Sequence, residues 1–327
     1  MNDSESGALK SCWDCLLHLA AVIRNFEGPV RFCSLRFGKN EAVRINSLLE
    51  PQKGTAGAAV IFGEDNAGIP FKNIQGCFVL RNYIHIAEIG DVRLPQQIIR
   101  LIKTYAPYCF APLHAQSNQK AFAISHLAQS LDSRIATVSG DSKWIGSPDN
   151  LVHAHRMRAL CDGVLIGART LKKDRPRLTV RHVRGRNPTR IVIGSSIDYP
   201  NSLLDASPDP VVLIGVRRAF GDAKIDSIEM SRVNGLIPTS DILRELYRKG
   251  IMSVLIEGGS ITLSRFIKEN NIDILQLHIS PMMIGKGLDS FLLPPVKSIA
   301  ESYRFKTWRY VQQDEGIMFI GAFTQNG

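Results

Sequence analysis

Gly163-Val-Leu-Ile-Gly-Ala-Arg-Thr-Leu-Lys-Lys-Asp-Arg-Pro-Arg-Leu-Thr-Val-Arg181 begins as an unbroken apolar run and ends among closely spaced arginines. Such a run, bounded by glycines, is the pattern of a strand buried on both faces of a sheet. Gly167 stands where that strand would meet the next helix, a place where backbone N–H groups can receive a phosphate. Arg177 and Arg181 offer planar forks suited to phosphate oxygens. Working outward, Ser147-Pro148 reads as a serine N-cap with proline in the first turn, opening a helix that runs to about Leu160. Phe122–Leu127, Arg190–Ile193, Val211–Ile214, Ser253–Ile256 and Ile272–Ser280 read as strands. Ser240–Lys249 and Ser260–Asn270 read as helices. Tyr303–Gln312 and Gly316–Phe323 read as a closing antiparallel pair. Strands alternating with helices specify an α/β domain with a mostly parallel sheet.

The polar stretch Ala115-Gln-Ser-Asn-Gln-Lys120 reads as a linker. It divides the chain into a small α/β or α+β module over residues 1–115 and a larger domain over 121–327. Helices are expected in the module near Ser11–Arg24 and Pro95–Tyr105. Apolar runs stand at Gly57–Phe62, Cys77–Leu80 and Tyr83–Ala87. No chemical motif emerges there. Cys12 and Cys15 have a redox or metal spacing, but they lie in a helical stretch without a second ligand pair, so structural thiols are expected.

The net charge of +10 is unevenly spread. Residues 119–200 carry 14 basic and 6 acidic side chains, whereas 201–327 carry 14 of each. That excess suggests an anionic partner. The segment lacks aromatic interleaving and any recognised nucleic-acid motif, so small phosphorylated ligands fit better than nucleic acid. No apolar run reaches the roughly 18 residues needed to span a bilayer. Met1–Lys10 is polar and acidic, unlike a secretory signal. A cytoplasmic protein without a membrane partner is therefore expected. His153 and His155, two apart on the expected helix, point to different faces, so no metal site is expected there.

Three further segments can carry chemistry. Ser130–Trp144 is a polar, small-residue stretch that reads as a loop after a strand. Glu257-Gly-Gly-Ser260 links a strand to a helix and leaves Gly258 and Gly259 amides open to an anion. Glu257 stands at a strand's carboxyl end, where open α/β sheets place ligands. Gly285-Lys-Gly287 reads as a glycine turn.

Taken in order, these motifs resemble the reductase domain of the bifunctional riboflavin-biosynthesis deaminase/reductase family. The carriers are Ser130–Ala136, Gly140–Trp144, Met157–Ala159, Gly167–Arg181 and Ile256–Gly259. The resemblance implies a dihydrofolate-reductase-like fold, NADPH as cofactor and a homodimer. It implies a 5-amino-6-ribosylamino-pyrimidine 5′-phosphate as substrate, reduced to the ribitylamino compound. It puts substrate contacts at Ser142, Arg158, Leu178, Arg181 and Glu257, with Arg177 a further phosphate partner. It puts cofactor contacts at Trp144, Thr170, Asp174 and the turn Gly258-Gly259-Ser260, with Gln129 and Gly167 flanking them. Hydride transfer to C1′ of an imine also needs a proton at nitrogen, for which Asp132, Glu257 or water are candidates. Ser133 stands where the family has glycine, and Arg175 where it has an acidic residue. The deaminase signature, His-x-Glu with a later Pro-Cys-x-x-Cys, is missing from residues 1–115, which implies a reductase without deaminase activity. Two other readings compete: a same-fold reductase of another pterin or pyrimidine metabolite, and a non-catalytic nucleotide-binding regulator.

Overall fold

The apolar runs do assemble into a parallel sheet, and their burial shows why. In a computed structural model, which describes residues 3–26, 30, 32–37, 42–45, 56–62, 76–81, 84–89, 92–197, 200–215 and 221–323, the chain divides into two units, Met1–Leu113 and His114–Gly327.

The first unit contains α1 (Asp3–Arg24), β1 (Phe32–Phe37), β2 (Ala42–Ile45), β3 (Ala56–Phe62), β4 (Gly76–Arg81), β5 (His85–Ile89) and α2 (Gln96–Cys109). Its five strands lie in the order β2-β1-β3-β4-β5, with only β3 and β4 parallel. Trp13 of α1 meets Tyr105 of α2 edge-on at 5.5 Å. The apolar run read at Tyr83–Ala87 forms a strand starting at His85, and Tyr83 itself lies outside the described residues. Cys12 and Cys15 are buried on α1, and Cys15 Sγ donates to the Arg36 carbonyl at 3.0 Å.

The expected linker is largely helix. α3 (Ala111–Asn118) takes in Ala115 to Asn118, and the division between the units falls within it. Ala115 is 1% exposed, and the His114 ring packs 5.4 Å from Phe122. The polar Gln-Ser-Asn-Gln string hid an apolar side made by residues before it.

The second unit contains β6 (Phe122–Ser130), β7 (Arg134–Thr137), α4 (Pro148–Leu160), β8 (Gly163–Gly167), α5 (Ala168–Asp174), β9 (Thr189–Ile193), α6 (Asn201–Leu204), β10 (Val211–Ile214), β11 (Ile225–Ile228), α7 (Thr239–Arg248), β12 (Ser253–Ile256), α8 (Ser260–Lys268), β13 (Ile274–Ser280), β14 (Gly287–Asp289), β15 (Phe305–Gln312) and β16 (Ile317–Phe323). Nine strands form one sheet in the order β11-β10-β9-β8-β12-β6-β13-β16-β15. From β11 to β13 all pairs are parallel, and β16 and β15 close it antiparallel. Every residue of β8, β10 and β12 is buried, as a sheet covered on both faces requires. On one face, Leu263 and Phe266 of α8 and Leu243 and Leu246 of α7 join Leu165, Val254 and Leu275 in the main core. On the other, α4 lies over Gln276, whose amide reaches both His153 and Met157. This is the expected architecture, a mostly parallel sheet flanked by helices.

Around the end of β6 the structure departs from the sequence reading. β6 runs through Gln129 and Ser130, and part of the supposed loop is strand: β7 pairs antiparallel with β14. Their partner lies some 150 residues away, so local pattern could not reveal it. Gly287 is required there, because a Cβ would collide with the Ala136 carbonyl. The Gly285-Lys-Gly287 turn is thus a pairing device for β7.

Candidate functional site

Parallel strands deliver their carboxyl ends to one edge, and the motifs meet there. Ile256 of β12 lies opposite Ser125 of β6 and Leu165 of β8, so Glu257 leaves the sheet between two strands, and its N–H donates to the Leu165 carbonyl at 3.0 Å. A cleft of about 440 Å³ opens at this edge. His126, Lys143, Trp144, Asn150, Glu257 and Gly258 are among its walls. α4 forms one side because Ser147 caps it as expected, its hydroxyl accepting from Asn150 N–H at 3.2 Å.

Glu257 and Arg158 form a bidentate pair. Arg158 Nε donates to Glu257 Oε1 at 2.7 Å and Nη2 to Oε2 at 2.6 Å. Both side chains are mostly buried, 13% and 14% exposed. Arg158 Nη1 donates to the Thr179 carbonyl at 3.2 Å. Arg158 is therefore no free phosphate ligand, since its charge is matched by Glu257. It holds Glu257 and the arm that carries Thr179. Glu257 retains lone pairs for a ligand, but an anion clamped by a guanidinium is poorly placed to donate a proton.

The arm is Leu178–Arg181. Leu178 is 2% exposed and takes φ +56, a left-handed conformation that leucine rarely adopts. Val180 N–H donates to Asn187 Oδ1 at 2.8 Å. Arg181 N–H donates to His155 Nδ1 at 3.0 Å, and its Nη1 donates to Thr179 Oγ1 at 3.0 Å. Arg181 and Arg177 have exposed side chains. The Arg181 guanidinium is pushed below its ordinary pKa by burial first and then by its neighbours Arg158 and Arg177. An anion would relieve that repulsion.

On the opposite side, Gly259 N–H donates to Thr170 Oγ1 at 3.4 Å, joining the strand–glycine turn to α5. Thr262 of α8 fills the space beside Gly167 and Gly258, where any Cβ would collide with it. Gly259 precedes α8 and Gly167 precedes α5 as N-caps, neither giving a side-chain cap, which leaves first-turn amides for an outside acceptor. Ser260 is the first residue of α8 and partly exposed. Lys173 lies over Gly140, so α5 also adjoins the Gly140–Trp144 turn. Trp144 is 80% exposed with φ +68. Ser142 is exposed on the same turn, with Lys143 and Trp144 lining the cleft instead. Asp174, exposed, ends α5, and Arg175 caps it in the left-handed region at φ +42. Gln129, 5% exposed, reaches Ser133 Oγ at 3.5 Å rather than the cleft lining.

Asp132 is tied into the turn that follows β6. Its oxygens accept from Ser130 Oγ at 2.5 Å, Ile284 N–H at 3.1 Å and Gly285 N–H at 2.6 Å. The Ser130 hydroxyl first, then those amides, lower its pKa to about 2. Such a carboxylate is an anion at neutral pH and ties the β6–β7 turn to the 284–285 loop. It is not set up as a proton donor.

Sequence reading missed His126, Lys143, Asn150, Thr179 and His155. His126 lies one residue past Ser125, beside Glu257, and only strand register places it there. Among the described residues, no group of three or more His, Cys, Asp or Glu could hold a metal ion, and no helix is long and apolar enough to cross a membrane.

Comparison with known proteins bears on this edge. Residues 121–318 match the family model described as RibD C-terminal domain. The riboflavin biosynthesis protein RibD of Aquifex aeolicus is 34% identical over 200 residues, covering 59% of this chain and 55% of its own length. The chain thus spans about half of that relative. The 2,5-diamino-6-ribosylamino-4(3H)-pyrimidinone 5′-phosphate reductase of Methanothermobacter thermautotrophicus is 28% identical, covering 56% of this chain and 87% of that protein. Among solved structures, Acinetobacter baumannii RibD superposes with a TM-score of 0.62 at 18% identity, over 97% of this chain and all of that one. At that identity the likeness speaks for the fold.

Proposed function

We infer the function from a plain premise: this chain belongs to the RibD C-terminal domain family, whose model covers residues 121–318. We propose that the second unit reduces the ribosyl group of a 5-amino-6-(5-phosphoribosylamino)pyrimidine to ribityl, with NADPH. One observation carries the reading. Glu257 and Gly258 line a cleft at the carboxyl edge of the sheet, and the Arg158 that clamps Glu257 also holds the Thr179 carbonyl of the basic arm.

The residues present suit a dinucleotide. First-turn amides of α8 and α5, with Thr170 beside Gly259, would hold its phosphates. Trp144 offers an exposed aromatic face for its ring, and Asp174 ends the helix that lines this side. When bound, the cofactor supplies the hydride. The chain's own part is orientation and charge placement. Arg177 and Arg181 bind the 5′-phosphate. Glu257, held rigid by Arg158, accepts hydrogen bonds from the substrate's polar groups. Asp132 is held as an anion by its three donors and Glu257 is engaged by Arg158, so water in the cleft delivers the proton to the imine nitrogen.

We propose further that the chain has no deaminase activity, because residues 1–115 carry neither His-x-Glu nor Pro-Cys-x-x-Cys. A cytoplasmic homodimer is also part of the proposal. The test uses the ribosylaminopyrimidine 5′-phosphate with NADPH or NADH. Loss of reduced-nicotinamide absorbance is expected with NADPH, together with a rise in melting temperature on adding NADPH alone. No turnover and no thermal shift with either nucleotide would remove the reductase reading.

A further inference from the structure

His153 and His155 lie two positions apart on α4 and do different work. His153 Nε2 pairs with Gln276 Oε1 at 2.9 Å, over the sheet. His155 faces the arm. It is 0% exposed, and its Nδ1 accepts the Arg181 backbone N–H at 3.0 Å. Three residues on, and so on the same helix face, Arg158 donates to the Thr179 carbonyl at 3.2 Å. α4 therefore grips the arm twice, once through an acceptor and once through a donor. The arm needs the grip, because Leu178 holds it in a left-handed conformation at φ +56.

We infer that His155 is a positioning residue for anion binding: by fixing the Arg181 backbone it aims the Arg181 and Arg177 guanidinium groups at the phosphate of a sugar phosphate. The inference rests on the functional reading above, in which those arginines meet a 5′-phosphate. An imidazole accepts at Nδ1 only when neutral, with its hydrogen on Nε2. Burial first, then Arg158, His182 and Arg181, lower the His155 pKa to about 4, against the pull of Glu257. A protonated ring would lose the acceptor and bring another positive charge to Arg158 and Arg181. Nε2 is buried without a hydrogen-bond partner, and the exposed His182 ring stands edge-on at 4.6 Å. A side chain that only filled space would be better apolar than carrying an unpaired N–H. The Nδ1 acceptor is what a histidine adds.

Ribose 5-phosphate is the probe, titrated into the full-length protein. His155→Leu should weaken it about tenfold, the scale of one lost hydrogen bond, with NADPH affinity unchanged. With the pyrimidine substrate it should raise KM by a similar factor and leave kcat nearly unchanged. His155→Asn, whose carbonyl oxygen lies near the place of Nδ1, should recover most of the loss. His155→Gln, whose oxygen reaches toward the place of Nε2, should not, and this pair keeps the test open if the leucine variant fails to fold. Arg181→Ala should lose at least as much as His155→Leu, and the double variant no more than Arg181→Ala alone. Additive losses, an equal loss of NADPH affinity, or no rescue by asparagine would overturn the inference. So would a wild-type protein that does not bind ribose 5-phosphate. A wild type that shows this coupling yet fails to oxidise NADPH with the pyrimidine would overturn the functional reading alone.

Discussion

Asp132 and Glu257 were equal candidates in the sequence, each a carboxylate near the end of a strand, and the structure makes them unlike. Asp132 is partly exposed and held by a hydroxyl and two backbone amides. Glu257 is mostly buried, its side chain 14% exposed, and held by one guanidinium, bidentate, 99 residues away in the chain. Neutral donors around a partly hydrated carboxylate organise a turn. A buried ion pair instead creates mutual dependence, since each charge is costly without the other. The corner at Asp132 is a fastening, whereas the pair at Glu257 is the site's rigid element.

The largest expected effect lies at the pair. Arg158→Ala should destabilise the fold by about 3–5 kcal/mol, because Glu257 would be left buried and unpaired. Denaturant titration of the variant against wild type measures this. Combining Arg158→Ala with Glu257→Leu should restore much of the stability, though not the activity. If Arg158→Ala costs no more than Asp132→Asn, the contrast between the regions collapses.

A smaller effect, of opposite sign, is expected at the Asp132 corner. Ser133 has φ +64, where the family has glycine. Relief of left-handed strain by Ser133→Gly should add up to about 1 kcal/mol, read as a rise in melting temperature of roughly 2–4 °C. An unchanged or lowered melting temperature would mean that the serine makes good its strain, through Gln129 or the turn.

The smallest effect is a pH dependence. The Asp132 pKa is lowered from 3.8 to about 2 in the folded protein. Its contribution to stability is therefore complete above about pH 4 and is lost as pH falls through 2. Melting curves of wild type and Asp132→Asn should converge over that interval and run parallel above it. A difference that persists unchanged down to pH 2 would mean that the carboxylate's charge is not what the turn uses.

Charge shows where counting along the chain stops being informative. The basic excess of residues 119–200 pointed to an anionic ligand, yet several of its arginines are already engaged. Arg158 is paired with Glu257, Arg186 with Asp162 at 2.5 Å, and Arg134 with Asp289. Arg190 is fully buried and donates to the carbonyls of Leu203 and Asp209. Arg181 on the arm and Arg177 just before it remain exposed, and they alone among these carry the original argument.

What the sequence determined was local. Apolar runs set the parallel strands, Ser147-Pro148 set the start of α4, and Glu257-Gly-Gly-Ser260 set a strand–turn–helix with open amides. Caps, periodicity and glycine turns act within one helical turn or one strand, so they are legible from neighbours. Tertiary structure alone decided which partner each polar group meets. It joined Asp132 to Gly285 across 153 residues, Arg158 to Glu257 across 99 and Arg181 to His155 across 26. It also turned part of a supposed loop into β7 by supplying β14. A hydrogen bond or ion pair depends on where two chain segments cross, and no window of sequence contains that crossing.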